Sequence, residues 1–298
     1  MQSKLRHALA CAWLVGVSCG DTIAGQQPVG GSVDTEAEIQ RFLRRAYLDL
    51  TGSAPTDDEL AAATTRLEEQ SNTPTARGAL VDELIGRPAL ATVWVEELEN
   101  SIFGGNTLDS QYALVCGIIR GDASCQSCTA TDSCACDCPP MAGYASEREA
   151  LRTSATDFAA GTTSAAIERR YAMATGYYAL AGSAEGRVST LFDDFLSRPA
   201  EADELENGRS MIFGAIIPGS PAGLLFHRHG ASYADLVDIV FDSEIYREAA
   251  VRRVFERYLA RAPSAVELEH FVSTLDANDP DVRSVIRAVV SSREYFEQ

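Results

Sequence analysis

One pattern recurs three times along the chain. An amphipathic stretch closes on an aromatic residue and a leucine, and then a proline and a glutamate–leucine pair follow. Apolar residues before each pattern return every three or four positions, which indicates one face of an α-helix. In the first and third copies, Thr56 and Ser264 precede the glutamate by three positions and predict capping boxes. Chance amphipathicity does not explain the matched proline, acid and leucine, so the pattern predicts an internal helical repeat.

We therefore predict an all-α fold of repeated helix–turn–helix units, with a disulfide-rich loop insertion. Tyr47, Phe195 and Tyr258, which lie before the three prolines, are expected to be buried at equivalent positions. The predicted segments of the body are repeat 1 at 35–103, connecting helices at 144–185, repeat 2 at 186–246 and repeat 3 at 247–298. In the connecting helices, we expect Tyr177 and Tyr178 to be partly exposed.

Two insertions interrupt this pattern. Residues 104–143 are rich in glycine and cysteine and show no helical period, whereas residues 214–231 are rich in glycine and proline. Both are predicted to project as loops, where binding residues are often found.

The N-terminus has the features of an export signal. Residues 1–18 combine a basic start with an apolar run that is too short to span a membrane permanently. Gly16-Val17-Ser18-Cys19 resembles a bacterial lipobox, although Gly16 stands where leucine is usual. We predict that Cys19 is lipid-modified and that residues 19–34 form a flexible tether. Ordinary secretion and an uncleaved anchor are the alternatives.

Charge excludes several classes of function. Removal of residues 1–18 leaves 23 arginines against 43 acidic residues, a net charge of −20. Such a body repels phosphate backbones, so nucleic-acid binding is not expected. Lys4 is the only lysine. The remaining chain therefore has no Walker A lysine, no lysine for a pyridoxal Schiff base and no lysine general base.

The cysteines are the sharpest local signal, because six of them fall within the first insertion. An even number of crowded thiols in an exported protein predicts disulfides, although the sequence does not choose their connectivity. A zinc site with thiolate ligands is the rival interpretation, and free redox thiols are a third. The candidates are Cys116, Cys125, Cys128, Cys134, Cys136 and Cys138.

Histidine is scarce in the body. His227 and His229 lie in the second insertion, and two residues apart on an extended segment they would point to opposite faces. His270 is expected on the exposed side of a helix. We assign no catalytic residue, no metal ligand and no cofactor from the sequence, and an enzyme is the less favoured class.

The first copy carries a resemblance to a known family. The string from Arg44 to Leu60, which reads RRAYLDLTGSAPTDDEL, resembles the opening of a helical domain of unknown function. That domain occurs in bacterial surface proteins, notably of planctomycete type, and often accompanies cytochrome-c-like modules. The resemblance covers residues 40–103. The C-terminal strings 258–263 and 291–295 are more weakly similar to helical repeats of bacterial extracellular proteins.

The resemblance implies a helical fold but supplies no catalytic residues. Haem attachment is not implied either, because Cys125-x-x-Cys128 is followed by Thr129 and not by histidine. The leading hypothesis is a scaffold or interaction protein, attached to the membrane through the lipid on Cys19 and bound to an envelope protein partner. The alternatives are an accessory subunit of an extracytoplasmic enzyme or redox complex, and a metal-binding module at the cysteine-rich loop.

Overall fold

Helices account for nearly all regular structure in the computed structural model, which describes residues 34–121, 125, 134, 138, 143–214 and 222–298. Cys19, the predicted signal segment and most of the predicted tether lie outside these residues. The helices of the first half are α1 Glu36–Thr51, α2 Asp57–Glu69, α3 Pro74–Ile85, α4 Pro88–Ile102, α5 Leu108–Ile119, α6 Tyr144–Arg152, α7 Ser154–Ala159 and α8 Ser164–Met173. The helices of the second half are α9 Thr175–Tyr178, α10 Ala184–Leu196, α11 Ala202–Phe213, α12 Tyr233–Phe241, α13 Glu244–Leu259, α14 Ala265–Thr274, α15 Arg283–Val290 and α16 Arg293–Glu297.

The all-α prediction is confirmed, and the only strands in the described parts of the chain form one small hairpin. Strand β1 (Gly223–Leu225) pairs antiparallel with β2 (Arg228–Gly230). Phe226 and His227 form the turn, and both have positive φ angles, as a two-residue hairpin turn requires. The hairpin packs on α11, where the Leu224 amide donates to Asn207 Oδ1 over 2.9 Å.

Three four-helix units contain the repeated pattern. Unit 1 is α1–α4, unit 2 is α10–α13 and unit 3 is α13–α16, so the second and third units share α13. The predicted boundary between residues 246 and 247 therefore falls inside a helix. In all three units, two residues separate the third helix from the fourth.

The junction between the first two helices has the same residue spacing in all three units. The first helix ends at a left-handed residue, and the second helix is capped four residues later and has glutamate three residues after the cap. The left-handed residues are Gly52, Ser197 and Ala260, the caps are Thr56, Glu201 and Ser264, and the glutamates are Glu59, Glu204 and Glu267.

This spacing shows that the predicted equivalence of Tyr47 with Phe195 and Tyr258 was wrong. Tyr47, Phe195 and Tyr258 are all buried, as expected. However, Phe195 and Tyr258 precede the left-handed residue by two positions, whereas Tyr47 precedes Gly52 by five. Tyr47 therefore matches Phe192 and Phe255 of the later units, one helical turn earlier. The aromatic–leucine signature alone did not distinguish two adjacent turns of the same helix face.

The first insertion contains a helix, α5, so the expectation of no helical structure throughout 104–143 was wrong for residues 108–119. Its buried face consists of Leu108, Tyr112, Val115 and Cys116, which is helical spacing. The helix escaped prediction because Cys116 was interpreted only as a crosslinking residue, although it also serves as an apolar core residue.

Units 1 and 3 pack directly against each other. The Phe42 ring lies 6.0 Å from the Tyr295 ring and 5.6 Å from the Phe296 ring, measured between centroids. Arg77 is 1% exposed, and its Nε donates to the Ser291 carbonyl over 2.8 Å. The first and last units are therefore joined by a buried core, and the other helices pack beside them.

Candidate functional site

A cleft of about 160 Å³ lies where α4 of unit 1 meets the helices of units 2 and 3. All three units and one connecting helix contribute to its lining. The helices involved are α4, α8, α10, α13 and α15. The walls are apolar and consist mainly of Trp94, Leu98, Ile102, Phe195, Val254 and Ile286. The cleft exists only in the assembled molecule, because segments almost two hundred residues apart line it.

One side of the cleft carries a buried ion pair. Arg253 Nη2 lies 2.9 Å from Glu168 Oε2, and the Glu168 residue is 5% exposed. The Tyr246 hydroxyl donates to the same carboxylate over 3.0 Å, and Arg253 Nη1 donates to the Phe195 carbonyl over 2.7 Å. Burial alone would lower the pKa of Arg253, but Glu168 raises it, so the guanidinium stays charged. These contacts fix α8, α10 and α13 against one another.

A second ion pair stands at the entrance. Arg257 of α13 pairs with Glu97 of α4, and it also donates to the Asp49 carbonyl over 3.2 Å. Both side chains of the pair are about one-third to one-half exposed. The pair joins unit 1 to unit 3 at the rim of the cleft.

Asp194 is the third acidic group in the cleft, and its environment differs from that of the other two. Its Oδ2 accepts a hydrogen bond from the Tyr177 hydroxyl over 2.9 Å. Burial raises the pKa of Asp194 to about 6, against the opposing effects of the Tyr177 hydrogen bond and of the more distant Arg253 charge. Among the residues that the structure describes, no arginine forms an ion pair with this carboxylate.

The histidines do not line this cleft. His227 lies in the hairpin turn and His229 in β2, and both are exposed. His270 is exposed on α14, as expected. Within the described parts of the chain, no group of three or more histidine, cysteine, aspartate or glutamate residues is arranged to hold a metal ion.

Four of the six candidate cysteines form disulfides. Cys116 bonds to Cys134 and Cys125 bonds to Cys138. These four sulfurs are therefore not available as zinc thiolates or as free redox thiols. Cys128 and Cys136 lie outside the described residues.

The residues that build the cleft were not identified from the sequence, although signals were present. Glu168 stands between Ile167 and Tyr171 on the inward face of α8, and a charged residue on such a face predicts a buried partner. Tyr177 was expected to be partly exposed, but it is buried, and its hydroxyl binds Asp194. That contact joins α9 to α10 and is invisible to helical periodicity. Tyr178 is half-buried.

Comparison with known proteins supports the N-terminal resemblance. Residues 24–110 match the model of the family described as PSCyt2, Protein of unknown function (DUF1549). The resemblance predicted for residues 40–103 is thus confirmed, and the matched region includes all four helices of unit 1. No curated protein and no solved structure matches the chain significantly.

No helix in the described parts of the chain is both long enough and apolar enough to cross a membrane.

Proposed function

We propose that the protein is a lipid-anchored interaction protein of the bacterial cell envelope, and that it holds a segment of a partner protein in the central cleft. The observation that carries the proposal is the convergence of all three helical units on one apolar cleft with charged groups at its side and rim. Repeated helical units generally present binding surfaces, and clefts between units are where such surfaces become concave.

The size of the cleft favours a protein segment over a free cofactor. Pockets for drug-sized ligands measure roughly 300–1,000 Å³, whereas this cleft measures about 160 Å³. A space of this size suits one or two side chains of a partner, while the rest of the partner lies on the surrounding surface.

The proposed location draws on two features. The first is the export signal, with Cys19 as the lipid-modified residue, which lies outside the described residues. The second is the pair of disulfides, because such bonds persist in oxidising compartments outside the cytoplasm. The body also carries a large negative charge, which favours a partner with a basic segment.

Affinity purification from detergent-solubilised membranes tests this function. Ser101 is exposed at the rim of the cleft, whereas its exposed neighbour Asn100 does not line it. We expect the wild type and Asn100→Trp to retain one stoichiometric partner and Ser101→Trp to lose it, because a bulky side chain at the rim blocks entry. Substrate turnover by the purified protein alone, without a partner, would contradict the proposal and support the enzyme alternative.

A further inference from the structure

The charges that line the cleft do not balance. Five side chains that are charged at neutral pH line it, and four of them form the pairs Glu168–Arg253 and Glu97–Arg257. Asp194 has no ion-pair partner among the described residues, and it is half-buried beside Phe195. An ionised carboxylate removed from water favours a cation that replaces its lost hydration.

Neither neighbouring arginine forms an ion pair with Asp194 among the described residues, although the charge of Arg253 acts on it from a distance and lowers its pKa. Arg253 directs its Nη2 to Glu168 and its Nη1 to the Phe195 carbonyl, while Arg257 is engaged by Glu97 and the Asp49 carbonyl. Asp194 Oδ2 is occupied by the Tyr177 hydroxyl, and Oδ1 has no partner among the described residues. One carboxylate oxygen is thus open to one donor.

We propose that the cleft binds the alkylammonium end of a lysine side chain from the partner protein, with the ammonium on Asp194 and the methylene stem along the apolar wall. This inference rests on the proposed function and adds the chemistry of the partner. The walls formed by Trp94 and Leu98 suit a methylene chain, and lysine buries its stem while its charge meets a polar group.

The geometry favours lysine over arginine. The cleft measures only about 160 Å³, which suits a compact ammonium better than the wider planar guanidinium. An ammonium is a compact charge that needs only one oxygen. Apart from Lys4 in the signal segment, this chain has no lysine, so its own body supplies no competitor.

Trp94 provides a direct readout. The chain has two tryptophans, and the other is Trp13 in the signal segment. In a Trp13→Phe background, tryptophan fluorescence reports only on the wall of the cleft. Titration with N-acetyl-lysine amide should therefore change the fluorescence saturably, whereas the norleucine amide, which keeps the stem but lacks the ammonium, should bind about tenfold more weakly or not at all.

Asp194→Asn and Asp193→Asn form a matched pair of variants. Asp193 precedes Asp194 on α10 but is exposed and does not line the cleft. We expect Asp194→Asn to weaken lysine amide binding by about tenfold, since a charge-assisted hydrogen bond is lost, and Asp193→Asn to leave it nearly unchanged. Equal binding by both variants, or equal binding of the lysine and norleucine amides, would overturn the inference. So would the absence of a saturable response from wild type.

Acidification supplies a second readout. The titratable and charged groups around Asp194 come from five elements, while α15 contributes only apolar residues. They are Asp193 on its own helix, Tyr177 on α9, Glu168 on α8, Glu97 on α4, and Arg253, Arg257 and Tyr258 on α13. Because the pKa of Asp194 is raised to about 6, binding of the lysine amide should weaken as the pH falls through that value. Asp194→Asn should lack this transition, and its persistence in the variant would contradict the assignment to Asp194.

The inference and the proposed function fail separately. If membranes yield the same partner with wild type and with Asp194→Asn, and Trp94 shows no lysine response, the interaction stands but the lysine site is wrong. If Trp94 reports lysine binding that depends on Asp194 while no partner is recovered, the site stands and the proposed function is wrong.

Discussion

Arg87 binds Glu59, with 2.8 Å between Nη1 and Oε1. All three units contain such an ion pair between an arginine and the glutamate near the start of the second helix, but the arginine of unit 1 comes from a different position in the unit. In units 2 and 3, the arginine directly after the left-handed residue pairs with the glutamate that is equivalent to Glu59. Arg198 lies 2.7 Å from Glu204, and Arg261 lies 2.8 Å from Glu267. The arginine of unit 1 comes instead from the cap of its fourth helix.

Each of these arginines also covers an aromatic ring at the matching position. The guanidinium carbons of Arg87, Arg198 and Arg261 lie 5.0, 5.1 and 5.2 Å from the centroids of Tyr47, Phe192 and Phe255, respectively. The ring, the arginine and the capping glutamate thus form one cluster in every unit, which we call the arginine clamp. It connects the first helix of a unit to the start of the second.

Loss of a clamp arginine should destabilise the fold. In unit 3, Arg261 binds Glu267, which is 5% exposed, and also Glu294 of α16. We expect Arg261→Met to reduce the free energy of unfolding by about 2 kcal/mol, because it leaves a buried carboxylate without its cation. Urea unfolding measures this change. Arg209→Met is the control, since its pair with Glu206 is exposed on both sides, and its expected cost is under about 0.5 kcal/mol.

The same clamp predicts a pH dependence. Burial would raise the pKa of Glu267, but hydrogen bonds from Arg261 and from the Ser264 backbone overcome it, so the pKa lies below its usual value. A lowered pKa in the folded state means that this contribution to stability is present at neutral pH and is lost as the pH falls below the usual glutamate range. Urea unfolding as a function of pH should show a smaller acid loss in Glu267→Gln than in wild type. An equal acid loss in both would contradict this role of Glu267.

Ionisation of Asp194 should destabilise the fold, whereas ionisation of Glu267 stabilises it. Because burial raises its pKa to about 6, its ionisation opposes folding at neutral pH, and the penalty disappears on acidification. Asp194→Asn keeps an acceptor for the Tyr177 hydroxyl and should stabilise the protein by about 1 kcal/mol at pH 7, a value reduced for partial exposure. The difference from wild type should shrink as the pH falls through about 6 toward 4. Asp193→Asn should show neither effect, and a destabilised Asp194→Asn protein would contradict this account.

The two disulfides should act locally. They close loops with sequence separations of 18 and 13 residues, so each is expected to contribute about 3 kcal/mol by restricting the unfolded chain. Both bonds lie within one segment and connect no two units. Reduction should therefore expose α5 to hydrogen exchange while helical circular dichroism is largely retained. Non-reducing peptide mapping should recover Cys116–Cys134 and Cys125–Cys138, and a different connectivity or a general loss of helix would contradict the prediction.

Cys19 is predicted to be the acylated first residue of the mature protein. Intact-mass analysis of material from membranes should show a chain that begins at Cys19 and carries lipid. Cys19→Ala should release the protein from the membrane fraction or leave it unprocessed. Cleavage elsewhere without lipid mass would show ordinary secretion instead.

Local signals made much of the fold predictable. The capping boxes at Thr56 and Ser264 form as expected, because a cap is an interaction between residues three positions apart. Helix α5 was missed because one residue, Cys116, serves both as crosslink and as core. The repeat was predictable because its pattern is also local in sequence. The alignment of the three copies, however, follows only from the positions of the left-handed residues in the structure.

The cleft could not be predicted from the sequence, and the reason is physical. Its groups come from helices that are distant in the chain: Trp94, Glu168, Asp194 and Arg253 contact the same space only after the units have packed. Arg87 shows the same limit, since its partner Glu59 is 28 residues away and nothing in the periodicity of either helix connects them. Patterns with a helical period describe which face is buried, but they do not describe which faces meet.

Photo-crosslinking in intact cells tests whether the cleft holds a partner protein. A benzoylphenylalanine at position 101 stands at the rim of the cleft, and one at position 266 replaces a valine that is 58% exposed and does not line it. We expect position 101 to form an adduct with one envelope protein and position 266 to form none. No adduct from position 101, or the same adduct from both positions, would contradict the claim that this cleft holds a partner.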